Sequence, residues 1–169
     1  SFTAFSVQGE IKSYWMGVKV REHPIHFGTS TLSISIHNSD LIPYAERLLK
    51  ELSFTGVCEI EFLLDPGDNT YKLIEVNART WLWVGFAIKS GINYPLMIFN
   101  HLNQIDMKYP DSYKTGEEWM HYLTDLPFSL QGILRGHYSP GEIFRSYLKF
   151  PAPAVFKSSD ILPGIAEIL

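Results

Sequence analysis

Acidic and amide side chains are concentrated in two strand-like segments that a short turn separates. Glu59 and Glu61 lie in the first segment, Glu75 and Asn77 lie in the second, and Arg79 follows two residues later. Carboxylate and amide oxygens are ligands that hard divalent cations such as Mg²⁺ prefer, and a guanidinium group can bind phosphate oxygens beside such a cation. These residue types therefore indicate a metal-dependent phosphate site.

A β-hairpin is the element that would position these side chains. The segments 57–64 and 71–77 are rich in apolar and β-branched residues, and the sequence Asp-Pro-Gly-Asp-Asn between them is typical of a turn. Side chains alternate between the two faces of a strand, so the acids of the first strand share one face, and the Glu-Asn pair of the second does the same. The apolar residues of both strands take the opposite face.

The register of the hairpin decides whether the two polar pairs meet. A pairing of Leu64 with Lys72 places Glu61 opposite Glu75, with their β-carbons about 5 Å apart. It also places Glu59 opposite Asn77. Carboxylates this close repel one another unless a cation lies between them, so the cluster predicts bound Mg²⁺, with Mn²⁺ as an alternative.

Each of these residues also has an ordinary interpretation. A Glu-x-Asn sequence on a strand arises often by chance, and surface polarity explains it in isolation. The matching position of Glu61 and the arginine that follows favour the metal site. For Glu59, a solvated or salt-bridged strand residue explains the sequence equally well.

Other candidates lie earlier in the chain. Arg21 and Lys19 alternate on one strand face, where Arg21 is a candidate for contacting nucleotide phosphate, although exposed basic residues on strands are common. The three hydroxyl-bearing residues at 29–31 are suited either to substrate binding or to a capped turn. His23 and His26 have a metal-compatible spacing but no cysteine partner nearby, which favours structural or solvent-facing roles.

The rest of the sequence predicts a compact α+β arrangement. The following elements are predicted: strands at 2–7, 11–20 and 32–36, helices at 41–52, 81–90 and 94–102, and short helical patches around Leu130 and Ile143. We expect an antiparallel sheet that contains both hairpins, with helices 41–52 and 81–90 packed on its apolar face. The other face would form the wall of a ligand cleft.

Composition excludes several classes of protein. The 169 residues include 14 basic and 18 acidic ones without a long run of either sign, which argues against nucleic acid as a partner. A single cysteine, Cys58, excludes an internal disulfide, and its place on the apolar strand face predicts an inert thiol. The sequence contains no apolar run long enough to span a membrane, so a cytoplasmic location is expected.

The hairpin sequence resembles a known family. Gly-Val-Cys-Glu-Ile-Glu-Phe at 56–62 followed by Leu-Ile-Glu-Val-Asn-Ala-Arg at 73–79 resembles the metal-binding hairpin of ATP-grasp enzymes. The sequences at 21–24, 27–30 and 90–95 are similar to the carbamoyl-phosphate-synthase-like and carboxylate-amine ligase branch. The resemblance extends over about residues 2–102, and Ala78 departs from it where the family often has proline.

The resemblance implies a role for each matching residue. Glu61, Glu75 and Asn77 would be ligands of Mg²⁺ and, through it, of ATP, and Arg79 would be the catalytic contact to phosphate. Such enzymes use ATP to convert a carboxylate into an acyl phosphate, which an amine then attacks. The implied substrates are therefore a small carboxylate and an amine. Whether the chain forms a homodimer is left open by the sequence.

The resemblance also predicts a division of the chain. Residues 1–103 would be the C-terminal subdomain of an ATP-grasp fold, and residues 104–169 an extension packed on it. The glycine-rich loop, phosphate-binding lysines and adenine hinge of the family would come from a missing N-terminal half, on the same or a separate chain. Alone, the chain would then be an inactive part of a ligase; a non-catalytic ATP-grasp-like regulatory or interaction module is the alternative.

Overall fold

The computed structural model describes residues 1–25, 28–156 and 159–166, which fall into two compact units. Unit 1 contains residues 1–18 and 35–116, and unit 2 contains residues 19–34 and 117–169. The proposed division at residue 103 stays a prediction. In the described part of the chain, no helix is long and apolar enough to cross a membrane.

The strands follow the predicted order but are mostly longer than expected. They are β1 (Phe2–Val7), β2 (Glu10–His23), β3 (Thr29–Ile36), β4 (Gly56–Asp65), β5 (Thr70–Asn77), β6 (Glu118–Met120) and β7 (Ala152–Pro153). The helices are α1 (Ile42–Glu51), α2 (Val84–Ser90), α3 (Tyr94–Leu102), α4 (Tyr122–Leu134), α5 (Pro140–Leu148) and α6 (Leu162–Ala166). The helix expected at 81–90 begins only at Val84.

The strands form a seven-stranded sheet in the order β5-β4-β1-β2-β3-β6-β7. The α+β class is confirmed, with one difference in strand direction. β6 pairs with β7 in parallel, so the sheet is mixed rather than wholly antiparallel. The hairpin of β4 and β5 lies at one end of this order, and β5 is therefore an edge strand.

In unit 1, one face of the sheet packs against α1. Phe2, Met16, Cys58 and Ile60 form a buried cluster with apolar residues of the helix, among them Leu49, which is 1% exposed. Pro43 lies in the first turn of α1, where its missing N–H costs no helical hydrogen bond. This face is the apolar one that strand alternation predicts.

The opposite face of unit 1 is also covered, which corrects the expected packing. Trp15 alternates with Met16 along β2, and its ring lies 5.3 Å from that of Trp83 and 5.1 Å from that of Phe86 in α2. The hydroxyl of Tyr94 in α3 donates a hydrogen bond to the backbone oxygen of Thr3. Helices α1 and α2 therefore lie on opposite faces, because the inner strands bury side chains in both directions.

Unit 2 is built around the last residues of β2, most of β3, and the helices α4 and α5. β3 pairs antiparallel with β6 through Leu32–Met120, Ser33–Trp119 and Ile34–Glu118. A capping box at Ser139 begins α5, since Ser139 and Glu142 exchange side-chain and backbone hydrogen bonds. The sequence pattern around Leu130 and Ile143 thus corresponds to two well-defined helices.

Candidate functional site

The β4–β5 hairpin brings the predicted metal ligands into register. Glu61 lies directly opposite Glu75, and Glu59 lies directly opposite Asn77, as strand alternation and the assumed pairing predict. Leu64, however, pairs with Tyr71 and not with Lys72. A register shift next to Glu61 inserts one extra residue into β5, so the hairpin is one step out near its turn and in the expected register at the polar pairs.

Burial differs strongly between the members of this cluster. Glu59 is 3% exposed and its Oε2 accepts a hydrogen bond of 3.5 Å from the side-chain amide of Asn77. Glu61 and Asn77 are half-buried, whereas Glu75 is exposed. The polar group thus extends from the interior of the sheet at Glu59 towards solvent at Glu75.

The expected apolar face of β5 is not buried. Ile74 is 58% exposed and Val76 is 38% exposed, although alternation places both opposite Glu75 and Asn77. α1 packs on the strands nearer the centre of the sheet, and β5 lies beyond them at the edge. The prediction that these side chains face the core is therefore wrong.

Arg79 lies just beyond the end of β5 and is exposed. Its Nη1 donates a hydrogen bond of 3.0 Å to the carbonyl oxygen of Thr80. That contact leaves a cationic side chain at the exit of the strand that carries Glu75 and Asn77. The position is the one expected for a contact to phosphate, and the role stays a prediction.

The polar groups of the hairpin fit the chemistry of Mg²⁺. Among the described residues, no group of three or more histidine, cysteine, aspartate or glutamate side chains forms a ready-made metal cage. Mg²⁺ does not require one, because it usually takes one or two carboxylates from the protein and completes its octahedron with water and phosphate. The facing pair Glu61 and Glu75, with the Asn77 amide beside it, supplies a donor set of that kind.

The comparison with known families supports the ATP-grasp resemblance. Residues 31–98 match the family described as carbamoyl-phosphate synthase L chain, ATP binding domain, which is an ATP-grasp family. The match contains the whole β4–β5 hairpin and Arg79 and does not reach Arg21. A comparison with curated proteins found no match. Residues 31–98 are therefore similar in sequence to the ATP-binding domain of an ATP-grasp family.

Arg21, predicted to contact nucleotide phosphate, lies in unit 2 and holds a carboxylate of its own chain. It is 7% exposed, and its Nε and Nη2 donate hydrogen bonds of 2.9 and 2.7 Å to Asp125. A fork-to-fork pair of this kind fixes the guanidinium plane. In this structure the arginine therefore serves a structural ion pair, and a phosphate contact stays a prediction.

Asp125 is the residue that sequence reasoning missed. Besides Arg21, it accepts hydrogen bonds from the hydroxyls of Thr31 at 2.7 Å, Ser129 at 3.1 Å and Tyr147 at 2.9 Å. Burial raises the pKa of Asp125, but the hydrogen bond and charge of Arg21, with the bonds from Thr31 and Tyr147, outweigh burial and hold the pKa below its ordinary value. The one sequence feature that could have indicated a role for Asp125 is its position as a lone acid in an apolar helical segment.

Two of the three hydroxyl-bearing residues at 29–31 are buried. Ser30 and Thr31 are 2% and 4% exposed, and Ser30 hydrogen-bonds to Ser33 and to backbone oxygens. His23 stacks on Phe128 with ring centroids 3.2 Å apart, while His26 lies outside the described residues. The structural interpretation of these residues is the one that the contacts favour.

Cys58 is expected to resist alkylation in the folded protein. Its side chain is fully buried, and burial raises its pKa to about 11, with a smaller lowering by the backbone of Ala4 and a further raising by Glu59. Because the thiolate is the nucleophile, iodoacetamide should modify Cys58 slowly at neutral pH and rapidly in urea. Mass spectrometry measures both rates; fast modification of native protein would contradict the packing of α1 on this face.

Proposed function

We propose that this chain supplies the Mg²⁺- and ATP-binding hairpin of an ATP-dependent carboxylate-amine ligase. The observation that carries the proposal is the facing of Glu61 and Glu75 within the segment that matches an ATP-binding domain. Surface polarity explains one glutamate on a strand. Two directly opposed carboxylates within that segment form a donor pair of the kind that Mg²⁺ takes from proteins.

Each side chain has a distinct task in this proposal. Glu61 and Glu75 hold Mg²⁺ with their carboxylates, and Asn77 adds an amide oxygen while its nitrogen is anchored by Glu59. Arg79 orients a phosphate group and neutralises charge that accumulates on it during transfer. When bound, Mg²⁺ supplies Lewis-acid neutralisation of phosphate oxygens.

The proposed reaction has two steps. A substrate carboxylate oxygen attacks the terminal phosphorus of ATP, which forms an acyl phosphate and displaces ADP. An amine nitrogen then attacks the acyl carbon, which forms the C–N bond and releases phosphate and a proton. The remaining nucleotide contacts would come from an N-terminal ATP-grasp half, and a cytoplasmic enzyme is the setting that we propose.

Phosphate release by the full-length protein that carries this chain tests the proposal. Small carboxylates and amines should be screened in pairs with ATP and Mg²⁺, with ADP and phosphate both measured. We expect a Mg²⁺-dependent signal that requires a carboxylate and yields an amide when an amine is present. ATP binding without turnover for any pair would favour the non-catalytic module and overturn the proposed ligase.

A further inference from the structure

Unit 2 contains a cavity that is separate from the candidate metal ligands of the β4–β5 hairpin. It has a volume of about 280 Å³ and is lined by the end of β2, the residues directly after it, the C-terminal half of α4 and the segment between α4 and α5. It lies outside the hairpin that carries the candidate metal ligands. None of the residues assigned to metal or catalysis in that hairpin lines it.

Two opposite charges line this cavity. Glu22 is half-buried, Arg135 directly follows the last residue of α4 and is exposed, and both line the cavity. Within the described residues neither takes part in an ion pair, although both line the same space. Arg21 also lines the cavity, but Asp125 already neutralises its charge. Among the described residues, the lining charges without an ion-pair partner are therefore one carboxylate and one guanidinium.

Aromatic rings form the rest of the relevant wall. His23 and Phe128 present a stacked pair, and Tyr138 contributes a third ring. The Tyr138 ring lies directly over Gly132, where an added Cβ would approach its Cδ2 to 2.4 Å. Glycine at 132 therefore permits the ring position that shapes the cavity.

We propose that this cavity binds a small zwitterionic molecule of amino-acid size. Its ammonium group would pair with Glu22 and its carboxylate with Arg135, while the aromatic rings contact its apolar part. The volume lies near the lower limit of about 300 Å³ for small-molecule sites, which fits a ligand of amino-acid size. The inference does not rest on the proposed ligase activity.

Direct binding to the full chain tests this inference. Calorimetry with each standard L-amino acid should give at least one ligand, and two derivatives of that ligand separate the charges. The N-acetyl derivative lacks the ammonium group, and the decarboxylated amine lacks the carboxylate. Both should bind about tenfold or more weakly, because each loses one charge-assisted hydrogen bond. No binding by any amino acid, or binding of either derivative as tight as that of the parent amino acid, would overturn the inference.

Charge-removing variants assign the two ends of the ligand. Glu22→Gln should remove the preference for the amino acid over its N-acetyl derivative, and Arg135→Gln should remove the preference over the decarboxylated amine. Arg145→Gln and Glu46→Gln are matched controls, since both residues are exposed and neither lines the cavity. Equal effects of the controls and the cavity variants would exclude Glu22 and Arg135 as the binding groups.

A shape variant tests the cavity without changing its charge. Gly132→Ala should displace the Tyr138 ring and weaken binding about tenfold or more, as a misfit in a packed pocket does. Gly141→Ala is the control, because nothing lies within 4 Å of the added methyl group. Circular dichroism checks that both variants fold. Unchanged affinity in folded Gly132→Ala would place the ligand elsewhere.

Discussion

Replacing Glu75 with glutamine should lower Mg²⁺-dependent ATP turnover of the full-length protein about 100-fold or more, because metal neutralisation of phosphate charge contributes several kcal/mol to the transition state. The side chain keeps its size and loses only its negative charge. Glu75 is exposed on an edge strand, so the fold should be unaffected. Steady-state kinetics over a range of Mg²⁺ concentrations measures the change.

The metal-free protein offers a second readout for Glu75→Gln. Glu61 and Glu75 face each other across the hairpin, and like charges directly opposed on a sheet are destabilising. The melting temperature without metal should therefore stay the same or rise in the variant. Adding Mg²⁺ and ATP should raise the melting temperature of the wild type more than that of the variant.

Glu46→Gln provides the matched control for both readouts. Glu46 is an exposed glutamate of α1 and lies outside the hairpin. Turnover and Mg²⁺ response should equal those of the wild type. If Glu75→Gln turned over ATP at the wild-type rate, or lost activity only through unfolding, the assignment of Glu75 as a metal ligand would be wrong.

The polar hairpin could be predicted because it depends on local rules. Alternation of side chains along a strand is independent of tertiary context. The sequence alone therefore predicts that Glu59 shares a strand face with Glu61, and that Glu75 does so with Asn77. The assumed pairing of Leu64 with Lys72 was wrong, yet the facing of Glu61 and Glu75 is confirmed. A bulge between the two sites absorbs the difference, and nothing in a strand sequence announces one extra residue.

Layer packing could not be predicted from the same rules. Alternation shows that Ile74 and Val76 share a face, but it does not show that their strand lies at the edge, beyond the reach of α1. The apolar segment 81–90 predicts a buried helix without indicating which face it covers. Trp15, on the face opposite Met16, decides that question, because it packs against Trp83 and Phe86.

The role of Arg21 depends on a partner 104 residues away in the sequence. In the sequence, Arg21 shares a strand face with Lys19 and lies in a segment that resembles the ligase branch, and both features favour a ligand contact. The carboxylate that holds it comes from α4, in a region where the sequence pattern is weak. Long-range polar pairs of this kind leave no local periodicity, so Asp125 could not be selected in advance.

Replacing Asp125 with alanine should lower the free energy of unfolding by about 3–5 kcal/mol, the usual cost of removing one partner of a buried ion pair. Asp125 is 1% exposed and Arg21 is 7% exposed, so the variant leaves a buried guanidinium without its counter-charge. The hydroxyls of Thr31 and Tyr147 also lose their acceptor. Urea unfolding followed by circular dichroism measures the loss.

The Asp125 carboxylate also predicts how stability depends on pH. Its pKa in the folded state lies below the value of 3.8 expected for the unfolded chain. The stabilisation is therefore fully present above that value and is lost as the pH falls through 3.8 and then through the lower folded pKa. Asp125→Asn should flatten this acid limb, because the variant has no proton to bind at that position.

Asp106→Asn separates this effect from a general loss of negative charge. Asp106 is exposed and forms no ion pair within the described residues, so its variant should keep both the wild-type stability and the wild-type acid limb. An Asp125→Ala loss below about 1 kcal/mol, the range of exposed pairs, would mean that the pair is solvated in solution. The contacts from β2, β3, α4 and α5 that meet at this carboxylate would then not hold unit 2 together.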